Sequence, residues 1–511
     1  GSDQVLAFST GQLAALDSAD VRALATGVVA LMGTDQIAAL TTAQVSRLTT
    51  AQIAALGTDQ IVAIETVDVA AFASAQVAAL ETHQIAAFTT AQIQALGGPG
   101  ARALGSGQIA ALSTEQVAAL TTTELSVLST GQLAGLGTEA VVALGTNQVR
   151  ALSGIQLASL GTDDLAALTS VQVAALSTAQ VIVLRTGQIA AFTTDQIAAL
   201  NSADLRALTS AQIGAMGSDQ VAALSTAQIG ALNASGLAAL GTDAVRAIGS
   251  DQIAALTTAQ VFALGTAQIA ALTTSQIAAI ETADIRILAA AQAAALSSEQ
   301  AQALGTAQIA ALAATNLRQL STAAIAALST DQIGVLGTAQ AAALGTAQVV
   351  ALGTGGVGAL SSAALRAFNT GQIAALSTEQ VAALSTGAVA VLTTAEVRGF
   401  GTAQIQALST EQVAALTTAG IQALATAQVA HLGTDAIAAL TTAQVRALQI
   451  GQVAGLSTAD VQALTSEQVV ALSTTQVYAL RTDQVAALST GQIAALETAD
   501  LRALSSLQAA A

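Results

Sequence analysis

The side chains able to do chemistry in this chain are few, and they recur at fixed spacing. All 14 basic residues are arginine. Eleven of them (Arg22, Arg102, Arg150, Arg206, Arg246, Arg286, Arg318, Arg366, Arg398, Arg446 and Arg502) fall at one slot of an eight-residue repeat. Nine of those eleven octads lack the glutamine usual two residues earlier; four carry Asp20, Asp204, Asp284 or Asp500 there, and one carries Glu396. Residues two apart on a helix do not face each other, so any pairing must run through a neighbouring octad. Two readings stand. In one, an arginine–carboxylate contact replaces a glutamine contact as a structural variant. In the other, guanidinium groups form an interaction edge for an anionic partner, at Arg22, Arg206, Arg246, Arg286, Arg318, Arg366, Arg398, Arg446 and Arg502. Their separations of four to ten octads look irregular along the sequence.

Glutamine is the second recurrent group, filling slot four in 43 of 64 octads. A binding ladder is one reading. The other is that each amide satisfies orphan backbone groups at a neighbouring helix end, because buried polar groups must be paired. The regularity of the slot favours the backbone role. Catalytic constellations are absent from the sequence. His83 and His431 are the only histidines and there is no cysteine, so no thiolate nucleophile, disulfide or recognisable metal cluster can be assembled. Serine and threonine are periodic, which points to capping, and no G-x-S-x-G elbow occurs. Gly97-Gly98-Pro99-Gly100 lacks the lysine of a phosphate loop and reads as one degenerate octad, a local kink. No catalytic residue, metal or cofactor is expected.

These side chains sit in a repeat that starts at Gly1 and keeps register to the end, giving 63 complete octads and a final seven residues. Ser113-Thr114-Glu115-Gln116-Val117-Ala118-Ala119-Leu120 is typical. A strand would send slots five and eight to opposite faces, and Ala and Gln are poor strand formers. One continuous helix would wind the Ile/Leu stripe round its surface, drifting about 80° per octad. A short helix in each octad fits best. Slots five and eight, three apart, then share an apolar face.

The preferred phasing makes the Thr or Ser of slot two the N-cap. Slot three becomes the first helical residue, which suits Pro99 and the acids gathered there, among them Asp35, Asp59, Glu115, Glu139, Asp163, Asp195, Asp219, Glu299 and Asp331. Frequent glycine at slot one would be a left-handed residue closing the previous helix. The rival phasing puts the N-cap at slot one and reads Ser-Thr-x-Gln as a capping box.

A helix of about six residues is unstable alone in water, so each octad must bury its face on its neighbours. The expected fold is an all-α solenoid spanning residues 1–511 as one array. With a turn of ~90–120° per junction, three to four octads make one superhelical turn. Layers ~8–10 Å apart give an elongated rod on the order of 150–200 Å. The net charge of −17 opposes nucleic acid and anionic membranes. Mean hydropathy is high, at +0.65, yet every apolar stretch is broken by Ser, Thr, Gln or Gly well short of a spanning length, so no membrane insertion is expected.

The run Thr-Thr-Ala-Gln-Ile-Ala-Ala-Leu at 49–56, repeated at Gly265–Leu272 with its first residue changed, resembles repeat tracts of very large bacterial proteins labelled haem-utilisation or adhesion proteins. The resemblance implies a fragment of a secreted or surface-associated protein with a structural spacer or stalk role and no catalysis. The alternative is an interaction scaffold that binds a protein, peptide or glycan along one face; self-association is a further option. No haem-ligand pattern accompanies the repeat.

Overall fold

The computed structural model describes residues 2–510. Among them lie 64 short α-helices of four to seven residues, from Ser2–Leu6 to Ser506–Ala509, and no strand. The chain forms two compact units, Gly1–Ala263 and Leu264–Ala511. Within each unit every octad contributes one helix, and each helix packs on the third helix along. The fold is a helical solenoid of eight-residue repeats.

The helix begins at slot two, so the preferred phasing was off by one residue and the rival is correct. In Thr114–Ala119 the N-cap is Ser113, extended at φ −70° and ψ 163°, while Thr114 is already helical. The Gln116 N–H donates to the Ser113 hydroxyl at 3.2 Å, and the Gln116 side chain accepts from the Ser113 N–H at 2.8 Å. This reciprocal pair satisfies two of the amides that a helix start leaves open. Near-constancy of slot two suggested a cap, but glutamine at slot four decides the phase, because only from the third helical position can it reach back to slot one. The slot-three acids are therefore second in their helices, still within reach of the N-terminal dipole.

Slot-one glycine is also corrected. Gly57 is extended at φ −74° and caps through its own N–H on Gln60 Oε1 at 2.8 Å. Among the described residues, positive φ occurs only at Gly97, Gly353 and Gly433. At Gly97 the preceding Leu96 stays helical, so Thr90–Ala95 passes into Gly97–Ala103 without the extended joint, which bears out the local kink. Pro99 is third in that helix rather than first. It is tolerated because no amide in the first turn needs a partner inside the helix.

The usual joint, missing again at Leu352–Gly353, is two extended residues. Leu80 (φ −62°, ψ 135°) ends Ser74–Ala79 and Glu81 (φ −79°, ψ 160°) starts the next helix. Leu80 N–H closes back on Val77 O at 3.2 Å. Slots five and eight form the core as expected: Ile53, Ile61, Ile85 and Ile93 are fully buried and their slot-eight partners nearly so. Slot six faces outward and slot seven is half-buried. Small residues there permit close stacking. A methyl group added to Gly214 at slot six would meet Ala239 O at 2.8 Å, three octads on.

Candidate functional site

The glutamine slot is a spine inside the fold, not a face for ligands. Gln84 is completely buried. Its Oε1 accepts from Glu81 N at 2.8 Å in its own octad. Its Nε2 donates to Ile53 O at 2.9 Å and Leu56 O at 2.7 Å, four octads earlier. The same two separations, 31 and 28 residues, recur at Gln116, Gln196, Gln332 and Gln468. Helix packing at three octads and side-chain bonding at four place between three and four octads in each turn, as expected. The slot-eight carbonyl sits where the chain leaves its helix, so glutamine supplies the partner it would otherwise lack.

Some departures from glutamine are compensated locally. Where slot four is Gly236, Asn233 at slot one donates from Nδ2 to Leu208 O at 2.8 Å and caps the Gly236 N–H at 2.7 Å. Asn316 reaches Leu288 O at 2.6 Å. Buried Asp204 is held by the Thr178 hydroxyl at 2.6 Å and by Asn201 Nδ2 at 2.5 Å. Glu124 takes the Thr121 N–H at 2.6 Å on one oxygen, while its other oxygen is buried without a partner, as is one oxygen of Asp68.

The arginine–carboxylate variant is not what these octads contain. The slot-six guanidinium groups stand exposed. For Arg22, Arg206, Arg286, Arg318, Arg366, Arg398, Arg446 and Arg502 no carboxylate lies within ion-pair distance, whereas Arg481 pairs with Asp483 at 3.1 Å and His83 with Glu81 at 3.3 Å. Arg398 instead donates from Nε to Ala423 O at 3.3 Å, three octads on. The helix C-terminus there offers an open carbonyl and the negative end of the peptide dipole.

Stacking changes the meaning of the arginine spacing. A step of three octads crosses one packed helix pair, and a step of four crosses one glutamine bond. In the unit Leu264–Ala511, Arg286, Arg318, Arg366, Arg398 and Arg446 lie 32, 48, 32 and 48 residues apart, and Arg502 follows after 56. Those intervals are four, six, four, six and seven octads. The octad of Arg318 is bonded to that of Arg286 from Asn316 Nδ2 to Leu288 O. From Arg318 two packed helix steps lead to Arg366, and from Arg398 two more lead to Arg446. In the unit Gly1–Ala263, Arg102, Arg150 and Arg206 follow one another by six and seven octads, and Arg246 follows Arg206 by five. Arg22 stands ten octads before Arg102.

A second series of exposed charges lies at slot three. Exposed slot-three acids Glu299, Asp331, Glu379, Glu411, Asp435 and Glu467 are separated by four, six, four, three and four octads. The carboxyls of Glu299, Glu379 and Glu411, like Glu115 in the other unit, lie below the ordinary glutamate range. Each is bonded by its own backbone N–H and by the serine hydroxyl of slot one. Asp164 is shifted the other way, chiefly by burial, with the Gly161 N–H opposing and the charge of Asp163 adding to the rise.

Grooves follow the stacking. One of about 680 Å³ runs past Ser74, Gly98, Pro99, Arg102, Thr123 and Val127, where the degenerate octad removes the usual slot-two side chain. His83 and His431 are both exposed and belong to different units; His431 Nδ1 lies 2.7 Å from Ala427 O. Among the described residues no group of three or more His, Cys, Asp or Glu could hold a metal ion. No helix among them is long and apolar enough to cross a membrane.

The decisive comparison concerns the hexamer across each joint. Ala39-Leu40-Thr41-Thr42-Ala43-Gln44 holds the end of one helix, the extended cap and the glutamine of the next. The model of the ALTTAQ repeat matches at 13–50, 38–63, 61–97 and onward in successive segments to 469–497. The chain belongs to the ALTTAQ repeat family. What this family's hexamer preserves is thus the cap-and-spine joint rather than an exposed face. No curated protein matches the chain.

Proposed function

We propose that this ALTTAQ array is a structural spacer, the stalk region of a large bacterial surface or adhesion protein, without catalysis of its own. One observation carries the reading. The most regular polar group, the slot-four glutamine, is spent on backbone groups inside the fold, so regularity here serves a uniform stack rather than a ligand. Unbroken octad register supports reading residues 1–511 as one array. A regular tandem helical repeat fits a structural or scaffold role. The alternative, an interaction scaffold for a protein, peptide or glycan, is favoured by the exposed slot-six arginines of the unit Leu264–Ala511.

A spacer must change length, and nothing else, when octads are removed. The chain has no cysteine, so labels at exposed slot-three positions, Ala51→Cys and Ala211→Cys, are unique. Twenty octads separate them, about five to seven layers, or roughly 40–70 Å at ~8–10 Å per layer. Deleting residues 161–192, four octads, should shorten the energy-transfer distance by about 8–10 Å with helicity per residue unchanged. A distance that ignores the deletion, or a chain that unfolds, refutes the spacer. Surface location is tested separately by protease shaving and antibody labelling of intact cells. Access only after lysis would exclude it.

A further inference from the structure

Two octads put glycine at slot two, Gly98 and Gly154. Each is followed three octads later by valine at slot seven, Val127 and Val183, where alanine is usual. The same exchange of small for large has different outcomes in the two places. A methyl group added to Gly154 would meet Val183 Cγ2 at 2.7 Å, so valine already lies where the missing side chain would be. One added to Gly98 would sit 3.8 Å from Thr123 Cγ2 and from Val127 Cγ2, with nothing closer, so that space stays open. The groove beside Gly154 holds about 380 Å³ and the one beside Gly98 about 680 Å³. Gly98 also follows a positive-φ residue, Gly97 at +59°, whereas Gly154 follows the ordinary extended cap Ser153.

The arginines of the two grooves differ as well. Arg185, beside Gly154, donates from Nη2 to Ala158 O at 2.6 Å. Arg102, the one charged residue lining the Gly98 groove, is exposed and has no ion-pair or hydrogen-bond partner among the described residues. It also borders a second groove, of about 370 Å³, lined by the hydroxyls of Ser106 and Ser129. The wall of the first groove is apolar, made by Pro99, Ala103 and Val127. A free cation thus stands where an apolar trough meets hydroxyl groups. The chain has 31 acidic residues against 14 arginines, yet no acid lines either groove. Glu124, next to Thr123, is buried in the spine with its carboxylate on the Thr121 N–H.

We propose that the Gly98 groove binds a fatty carboxylate, its alkyl chain along Pro99, Ala103 and Val127 and its carboxylate on Arg102. The wall comes from two packed helices, Gly97–Ala103 and Thr122–Val127, which suits an extended chain laid across both. One guanidinium offers two parallel N–H donors and a single positive charge, the match for a carboxylate rather than a phosphate dianion. Ser106 and Ser129 stand on the head-group side, with hydroxyl protons for the same oxygens. An apolar groove with a few placed polar groups is the usual form of a small-ligand site, and removal of the methylenes from water drives entry. The inference is independent of the spacer reading, since a spacer needs the stack and not this groove.

Titration with decanoate tests it on the full chain, with the valine methyl groups labelled with ¹³C. The Val127 signals should shift and saturate, while those of Val183, the comparison within the same chain, should need about tenfold more ligand or better. G98S puts the usual residue into open space, and R102Q removes the charge from an exposed position. Each should weaken binding about tenfold or more, with far-UV circular dichroism unchanged. Decanol, which lacks the charge, should likewise bind about tenfold more weakly than decanoate. Val127 signals that do not move, or that move no more readily than those of Val183, overturn the proposal. So does R102Q that binds decanoate as the native chain does, decanol that binds as well as decanoate, or decyl phosphate that binds more tightly. R102Q decides the matter even where G98S disturbs the stack.

Discussion

Replacing Gln84 by alanine tests the spine at one rung. The substitution removes three short bonds: from Glu81 N, to Ile53 O and to Leu56 O. They are not equivalent. Ile53 O keeps the Leu56 N–H at 3.2 Å. Glu81 N–H and Leu56 O lose their partners where water has no access, because Gln84 is fully buried. Each orphaned group costs about 1–3 kcal/mol, so the local loss is about 2–6 kcal/mol. In a solenoid such a defect opens locally rather than unfolding the whole array. Hydrogen exchange read by mass spectrometry is therefore the suitable assay. Amides around 50–57 and 80–88 should exchange at least ~30-fold faster, since about 1.4 kcal/mol is a factor of ten, while peptides six or more octads away are unchanged. Acceleration confined to 80–88, with 50–57 as protected as before, would refute the bridge across four octads.

Four further outcomes follow from the same geometry. Gly57→Ala should be neutral or stabilising by up to ~1 kcal/mol in denaturant titration, because its φ is −74° and the nearest atom to an added methyl is 3.7 Å away. Gly97→Ala should cost about 1–2 kcal/mol, because φ there is +59°; the left-handed reading of slot one would make the two alike. Gly236→Ala should destabilise by about 1–3 kcal/mol, since the methyl would overlap Ile213 Cδ1. Glu115, Glu299, Glu379 and Glu411 have folded pKa values below the unfolded one, so their contribution is present above about pH 4.3 and lost as pH falls through the folded values. Melting temperature should accordingly fall less between pH 6 and pH 3 in the fourfold Glu→Gln variant than in the native chain.

Much of this was legible in the octad. Slots five and eight, three residues apart, could share a face only on a helix, and the missing long apolar run forced those helices to stack. The glutamine's backbone role followed from its regularity. Its reach did not: whether Gln84 serves the adjacent octad or one four away depends on the superhelical turn, which no single octad encodes. The cap phase was misjudged because Thr114 and Ser113 are equally good caps by residue type. Only the back-bond from Gln116 separates them. The arginines were legible as a recurrent slot, but that their guanidinium groups stand exposed beside no slot-four carboxylate depends on side-chain direction, which the octad does not encode. The slot-three acids were read as helix-dipole partners, which they are.

Side-chain amide exchange of the glutamines tests the central claim most directly. With glutamine labelled at its side-chain nitrogen, the NH₂ signals of buried Gln84, Gln116, Gln196 and Gln468 should persist long after transfer to D₂O, because each is bonded to carbonyls four octads away. Exposed Gln406 and Gln462 should vanish at once and serve as the internal reference. If the slot-four amides disappear as fast as those two, the glutamines face water and the spine does not exist.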